Sequence, residues 1–204
     1  MDHDQRLKVL FQECLAELFA LFDTFWPPRL NFAGAEWQQN ELWLNPPEGK
    51  KGTADLVVKI PVLHPPVDFA ALDPAHPKLL FHCEIENANS TSNIKERLPN
   101  YHVTLRERTG LPVLTVVLYL SVAYEGHGLD LASSEPTGLN ALSLTFPYVG
   151  LPGLNALEYL QGNNALAIAL TPMMRIPRGE EAAVGAEALR RLAELPLSDY
   201  KRYL

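Results

Sequence analysis

Leu79-Leu-Phe-His-Cys-Glu-Ile-Glu86, near the middle of the chain, has the composition of a β-strand. Side chains on a strand alternate between its faces, so Phe81, Cys83 and Ile85 share one side and His82, Glu84 and Glu86 the other. The first set suits a hydrophobic core. The second sets two carboxylates side by side on one sheet face, where like charges repel and cost stability without a counter-charge. A second strand-like run, Thr53-Ala-Asp-Leu-Val-Val-Lys-Ile60, carries Asp55. Laid alongside the first, it would gather Asp55, Glu84 and Glu86 into an oxygen-rich pocket of the kind a hard divalent cation neutralises.

The flanking sequence supplies a framework for such a pocket. Downstream, Asn87-Ala-Asn-Ser-Thr-Ser-Asn93 is turn and cap chemistry and leads into a helix over 93–108. Pro99 begins or kinks its regular part, and Gly110 closes it. Leu111-Pro-Val-Leu-Thr-Val-Val-Leu-Tyr-Leu120 follows, a continuous apolar, β-branched run that predicts a strand covered on both faces. Upstream, 61–77 is a proline-rich loop. Glu41-Leu-Trp-Leu44 and the 53–60 run read as strands joined by the hairpin-like connection at 46–52.

Residues 5–26 have helical periodicity, with apolar side chains from Leu7 to Phe25 at three- and four-residue steps, and Pro27-Pro28 stops them. Beyond Leu120 the sequence predicts a loop, a strand at 141–146, and helices near 152–161, 163–171 and 180–195. The order of elements indicates an α/β fold, a mixed sheet flanked by helices, in one domain over 1–204 whose part from about 150 is helical.

Composition narrows the partners. The formal charge of −7 argues against indiscriminate nucleic-acid binding while allowing a local basic face. No apolar stretch approaches the roughly 20 residues that span a bilayer, and the start of the chain lacks the basic-then-apolar pattern of a secretory signal. The two cysteines, Cys14 and Cys83, both lie in apolar patterns, as buried free thiols of a cytoplasmic protein do. Several candidate residues also have plain structural readings. Asp55 and Glu84 could be strand-edge acids, or partners of Lys51 and Lys59. His82 could be hydrogen-bonded packing or a ligand. Glu13 and Glu17, one turn apart, could be solvated surface or line a site. Trp26, Trp37 and Trp43 read as core and edge packing.

In order along the chain, these residues resemble the PD-(D/E)XK nuclease superfamily, and more narrowly its recombination-promoting nuclease and transposase branch. The likeness covers most of the chain. Lys51-Gly-Thr-Ala-Asp-Leu-Val57 resembles the family strand that carries the first metal-binding acid, at Asp55. Phe81-His-Cys-Glu-Ile-Glu86 resembles the strand that ends in Glu-x-Gln or Glu-x-Lys, with Glu84 as the second acid. Arg97 and Tyr101 match an Arg-x-x-x-Tyr pattern on the next helix, and Gly110-Leu-Pro-Val113 opens the following strand. One position departs. Glu86 stands where the family has Lys or Gln, so the positive charge that would orient water and offset charge on phosphate is missing there. Lys59 shares the Asp55 face but lies about 13 Å along the strand at ~3.3 Å per residue. Lys95 and Arg97 are the better candidates for a relocated cation.

The resemblance implies a restriction-endonuclease-like α/β fold and a DNA endonuclease dependent on Mg²⁺ or Mn²⁺. Asp55, Glu84 and Glu86, with the carbonyl of Ile85, would hold the metal, and Arg97 and Tyr101 would complete the catalytic set. Arg97 and Tyr101 could equally hold the helix on the sheet. Lys50-Lys51 and Arg106 with Arg108 would be phosphate contacts or solvated surface. DNA and a second copy of the chain are the expected partners. The alternative is a catalytically inactive module on the same fold that binds DNA or a protein, a reading favoured by Glu86 and the acidic charge.

Overall fold

The computed structural model describes residues 3–38, 41–43, 51–69, 73–87, 93–121, 124–133 and 143–196. In chain order the elements are helices α1 (His3–Glu13) and α2 (Leu15–Phe22), strands β1 (Glu36–Trp37), β2 (Glu41–Trp43), β3 (Lys51–Thr53), β4 (Leu56–Pro61) and β5 (Lys78–Glu86), and helix α3 (Ile94–Thr109). Strands β6 (Val113–Tyr119), β7 (Gly126–Ser133) and β8 (Ser143–Gly150) follow, then helices α4 (Ala156–Leu160), α5 (Ala165–Ala169) and α6 (Glu181–Glu194). The fold is the expected α/β class: a mixed six-stranded sheet in the order β1-β4-β5-β6-β8-β7, flanked by helices, with β2 and β3 pairing separately. No helix among the described residues is long and apolar enough to cross a membrane.

The chain gathers into two compact units. One comprises Pro28–Leu118 and Gly128–Tyr148, and the other Met1–Pro27, Tyr119–His127 and Val149–Leu204. In the first, β4 and β5 pair antiparallel with Leu56 opposite Cys83 and Pro61 opposite Lys78. Leu79 to Glu86 is buried on both faces apart from half-buried Ile85, so the acidic face of this strand is enclosed as well as its apolar face. Helix α3 connects β5 to β6, its neighbour in the sheet. It packs through Tyr101 and Leu105 against Ala54, Val57 and Leu80. Each leucine taken fully out of water there contributes roughly 1.5–3 kcal/mol.

The ends of α3 follow from local chemistry. Asn93 accepts the Lys95 backbone N–H through its side chain at 3.1 Å, and Gly110, at φ 67°, takes the left-handed conformation that closes the helix. Pro99 lies inside the helix rather than at its start.

In the other unit, Arg191 on α6 donates from Nε to Leu160 O at 3.1 Å and from Nη2 to Gly162 O at 2.6 Å, tying down the end of α4. Asn164 Nδ2 donates to Glu17 O at 2.8 Å, and His127 Nε2 to Leu21 O at 2.8 Å. Gly150 must be glycine because a Cβ there would lie 1.8 Å from Tyr124 O. Cys14 and Cys83 are free and buried.

Several boundaries differ from expectation. The single helix over 5–26 is two, broken at Cys14 and ended at Asp23, whose side chain accepts the Phe25 N–H at 2.6 Å before the prolines are reached. The 53–60 run is broken at Ala54-Asp55 into β3 and β4. Strand β2 pairs with β3 and not with the whole run. Most of the connection read at 46–52 lies outside the described residues, as do 88–92. The strand read at 141–146 is β8, at 143–150. Strand β7 occupies what reads as loop, because Gly126 and Gly128 and outward-facing Leu129 and Leu131 hide its alternation. Helices α4 and α5 are shorter than read, since Asn155 and Asn164 serve as their N-caps and exclude the residues before them.

Candidate functional site

The candidate site lies within the first unit, at the end of the β4–β5 pairing. By the register of these strands Asp55 falls opposite Glu84, one step beyond the last ladder pair. The backbone bends at Asp55, and side chains take over from the ladder. The Asp55 N–H donates to Glu84 Oε1 at 3.1 Å, and the Ile85 N–H donates to Asp55 Oδ2 at 2.9 Å. Each carboxylate thus satisfies a backbone donor of the other strand, which a buried sheet end requires.

Glu84 is about 1% exposed and Glu86 4%. Burial at this level requires ion pairing. Arg97, one turn into α3, supplies it: its Nη2 lies 3.2 Å from Glu84 Oε2 and is hydrogen-bonded to Glu86 Oε1. The period-two alternation that places both acids on one face, and the helix that follows, therefore converge two buried carboxylates on a single cationic atom. On the same strand face, His82 Nε2 lies 3.0 Å from Glu84 Oε1. Its Nδ1 lies 3.4 Å from Thr115 Oγ1 on β6, and Thr115 in turn meets His102 Nδ1 at 2.9 Å.

Electrostatics follow the enclosure. Burial pushes the Cys83 thiol well up, and the Asp55 and Glu84 carboxylates add to the effect. Burial, with His82 and Arg106 nearby, pulls His102 down from the ordinary histidine value.

The remaining expected residues separate. Tyr101, one turn beyond Arg97, enters the hydrophobic core with its ring centroid 6.0 Å from His82. Lys95 donates to Asp130 Oδ1 at 2.9 Å, and its Nζ is 2.8 Å from Asp130 Oδ2, so this cation is joined to β7. Lys59 lies 4.0 Å from Glu36, which Lys78 also holds at 3.0 Å. Arg106 and Arg108 are exposed on the last turn of α3. Lys51 belongs to β3, and Lys50 lies outside the described residues. In the other unit, Glu13 is exposed and Glu17 half-buried. Trp37 is 39% exposed on the two-residue strand β1, and Trp26 packs edge-on to Phe25. Thr115, His102 and Asp130 were not legible as site neighbours. Each meets its partner across strands or between strand and helix, and no local motif marks it.

The donor set is that of a hard cation: carboxylate oxygens with no sulfur. As arranged, no group of three His, Cys, Asp or Glu side chains among the described residues is set to hold a metal ion. Glu84 Oε1 is engaged by the Asp55 N–H and His82, and Asp55 Oδ2 by the Ile85 N–H. The Arg97 guanidinium stands in for a cation between Glu84 and Glu86. The chain matches no family model, no curated protein and no solved structure.

Proposed function

We propose that the chain is a divalent-metal-dependent phosphodiesterase acting on DNA, with its centre at Asp55, Glu84 and Glu86. The observation that carries this reading is the convergence of buried Glu84 and Glu86 on one positive charge, with Asp55 bonded to the same strand end. The order of these residues along the chain, as in recombination-promoting nucleases, supports it.

Asp55 and Glu84, joined by Glu86 once Arg97 has yielded, would hold Mg²⁺ or Mn²⁺. Bound there, the ion supplies Lewis acidity toward a phosphate oxygen and a more acidic water. Arg97 is the residue that changes role. Its guanidinium neutralises the glutamates in the resting arrangement and, released from Glu86, carries positive charge to phosphate. Because Glu86 cannot provide the cation expected at its position, that side-chain charge would have to come from Arg97. Lacking one transition-state donor costs roughly 100- to 1000-fold.

The test is cleavage of plasmid and single-stranded DNA with Mg²⁺ or Mn²⁺. Slow cleavage is expected, lost in Asp55→Ala and Glu84→Ala and raised in Glu86→Lys. A second reading, a catalytically inactive module that binds DNA or a protein, is favoured by the engagement of both glutamates by Arg97. No metal-dependent cleavage by either wild type or Glu86→Lys, with both proteins folded, would leave that second reading standing.

A further inference from the structure

We infer that Asp130 on β7 is a positioning residue for Arg97: by holding Lys95 it fixes the first turn of α3, and with it the place where the Arg97 guanidinium meets Glu84 and Glu86. All five side chains belong to the first unit.

Pro99 lies inside α3, shortly after its start at Ile94. Proline has no backbone N–H, so the helical bond from residue 99 back to Lys95 O cannot form, and the ring crowds that carbonyl. The turn that carries Lys95 and Arg97 is therefore tied to the rest of the helix by one backbone bond fewer, and side chains have more say in where it sits.

These two cations leave the turn in opposite directions. At 3.6 residues per turn, side chains two apart point about 200° apart. Lys95 reaches β7, where its Nζ is 2.9 Å from Asp130 Oδ1 and 2.8 Å from Oδ2. Arg97 reaches β5, with Nη2 3.2 Å from Glu84 Oε2 and hydrogen-bonded to Glu86 Oε1. Strands β6 and β8 lie between β5 and β7 in the sheet, a separation of roughly 14 Å at about 4.8 Å per strand. The two ion pairs thus hold the turn from both sides. Asp130 is itself set by the backbone of its strand, since Oδ1 accepts the Leu131 N–H at 2.8 Å. Asp130 and Lys95 are half-buried, so solvent screens their pairing less than it would on an open surface. Removing the charge of Asp130 releases one side, and Arg97 loses the fixed base from which it bridges the glutamates.

The clamp is a property of the resting protein. Its bearing on catalysis rests on the phosphodiesterase reading: with the turn held by Asp130, the Arg97 guanidinium can leave Glu86 for phosphate while its backbone stays in place.

The experiment is a double-mutant cycle in urea unfolding on Asp130→Asn, Arg97→Ala and the double variant. The Arg97 side-chain ¹H–¹⁵N signal, assigned by its absence in Arg97→Lys, is followed alongside. Sites this far apart with no shared partner contribute independently, to within about twofold in the unfolding equilibrium constant. With Asp130 positioning Arg97, the double variant should fall short of the product of the two single losses by about threefold or more. The Arg97 signal should shift or broaden in Asp130→Asn and return to its wild-type position in Asp130→Glu, which keeps the charge. Losses that simply multiply, an Arg97 signal unmoved in Asp130→Asn, or one that moves alike in Asp130→Glu would overturn the inference. Should Asp130→Asn fail to fold, Lys95→Met removes the same pair from its more exposed end, and the cycle and the Arg97 signal decide there. A coupled cycle without metal-dependent cleavage by wild type or Glu86→Lys would sink the phosphodiesterase reading and leave the clamp standing; cleavage with independent losses would do the reverse.

Discussion

Replacing Arg97 by alanine removes the cation that two enclosed carboxylates share. Breaking a fully buried ion pair from one side costs roughly 3–5 kcal/mol, because the remaining charge stays out of water. The side chain of Arg97 is 24% exposed while those of Glu84 and Glu86 are 1% and 5%. Solvent therefore softens the loss on the arginine side, and about 2–3 kcal/mol is expected. At about 2–4 °C per kcal/mol for a chain of this size, Tm should fall by about 4–12 °C in EDTA. If the guanidinium holds the place of a cation, the variant should regain stability in Mg²⁺, Mn²⁺ or Ca²⁺. A ligand at 100 times its Kd restores about 2.7 kcal/mol. Thermal unfolding of both proteins with EDTA and with each ion is the assay. The reasoning fails if Arg97→Ala melts with the wild type in EDTA, or if divalent ions shift both proteins equally.

Cys83 should resist alkylation at pH 8 in the folded protein and react at an ordinary rate in urea, read by peptide mass spectrometry, because its thiol is held in the neutral form. The linkage is alkaline: as pH rises past the unfolded thiol value near 8.5, the unfolded chain ionises first and stability falls. His102 acts at the other end. With its folded value depressed, the unfolded chain binds the proton first as pH drops through about 6.5, so stability falls from there down to the folded value and is unaffected above. His102→Gln should flatten that segment of the urea-midpoint profile. Leu105→Ala, at a fully packed position, should cost roughly 2–5 kcal/mol in chemical denaturation. Asn93→Ala should cost about 1 kcal/mol by removing the α3 cap.

The sheet and its acids were legible because the signals are local. Alternation over 79–86 places His82, Glu84 and Glu86 on one face, and the 111–120 run marks a covered strand. Arg97 was placed near the acids through the family resemblance, by its Arg-x-x-x-Tyr pattern on the helix that follows the acidic strand. What escaped depends on tertiary context. The break at Ala54-Asp55 is invisible in a run that reads as continuous β, since it is stabilised by bonds to residues 29 and 30 positions away. Strand β7 sits at the sheet edge, where outward leucines blur the pattern. The pairing of Lys95 with Asp130 needs a separation of 35 residues to close.

The reciprocal bonding of Asp55 and Glu84 also makes their side chains a proofreader of strand alignment. A slip by one residue turns every side chain of a strand to the opposite face. In β4 and β5 it would face Asp55 with Cys83 or Ile85, separate both carboxylates from the N–H groups they accept, and strand Glu84 among apolar neighbours. Pairings off by one therefore forfeit two charge-assisted hydrogen bonds, roughly 1.5–3 kcal/mol each, at the point where the hairpin is longest in sequence and most open to error. The acids would then reject misaligned sheets during folding before any ligand arrives. Their substitution by alanine should raise the fraction of off-register or aggregated protein on refolding, in addition to any loss of chemistry.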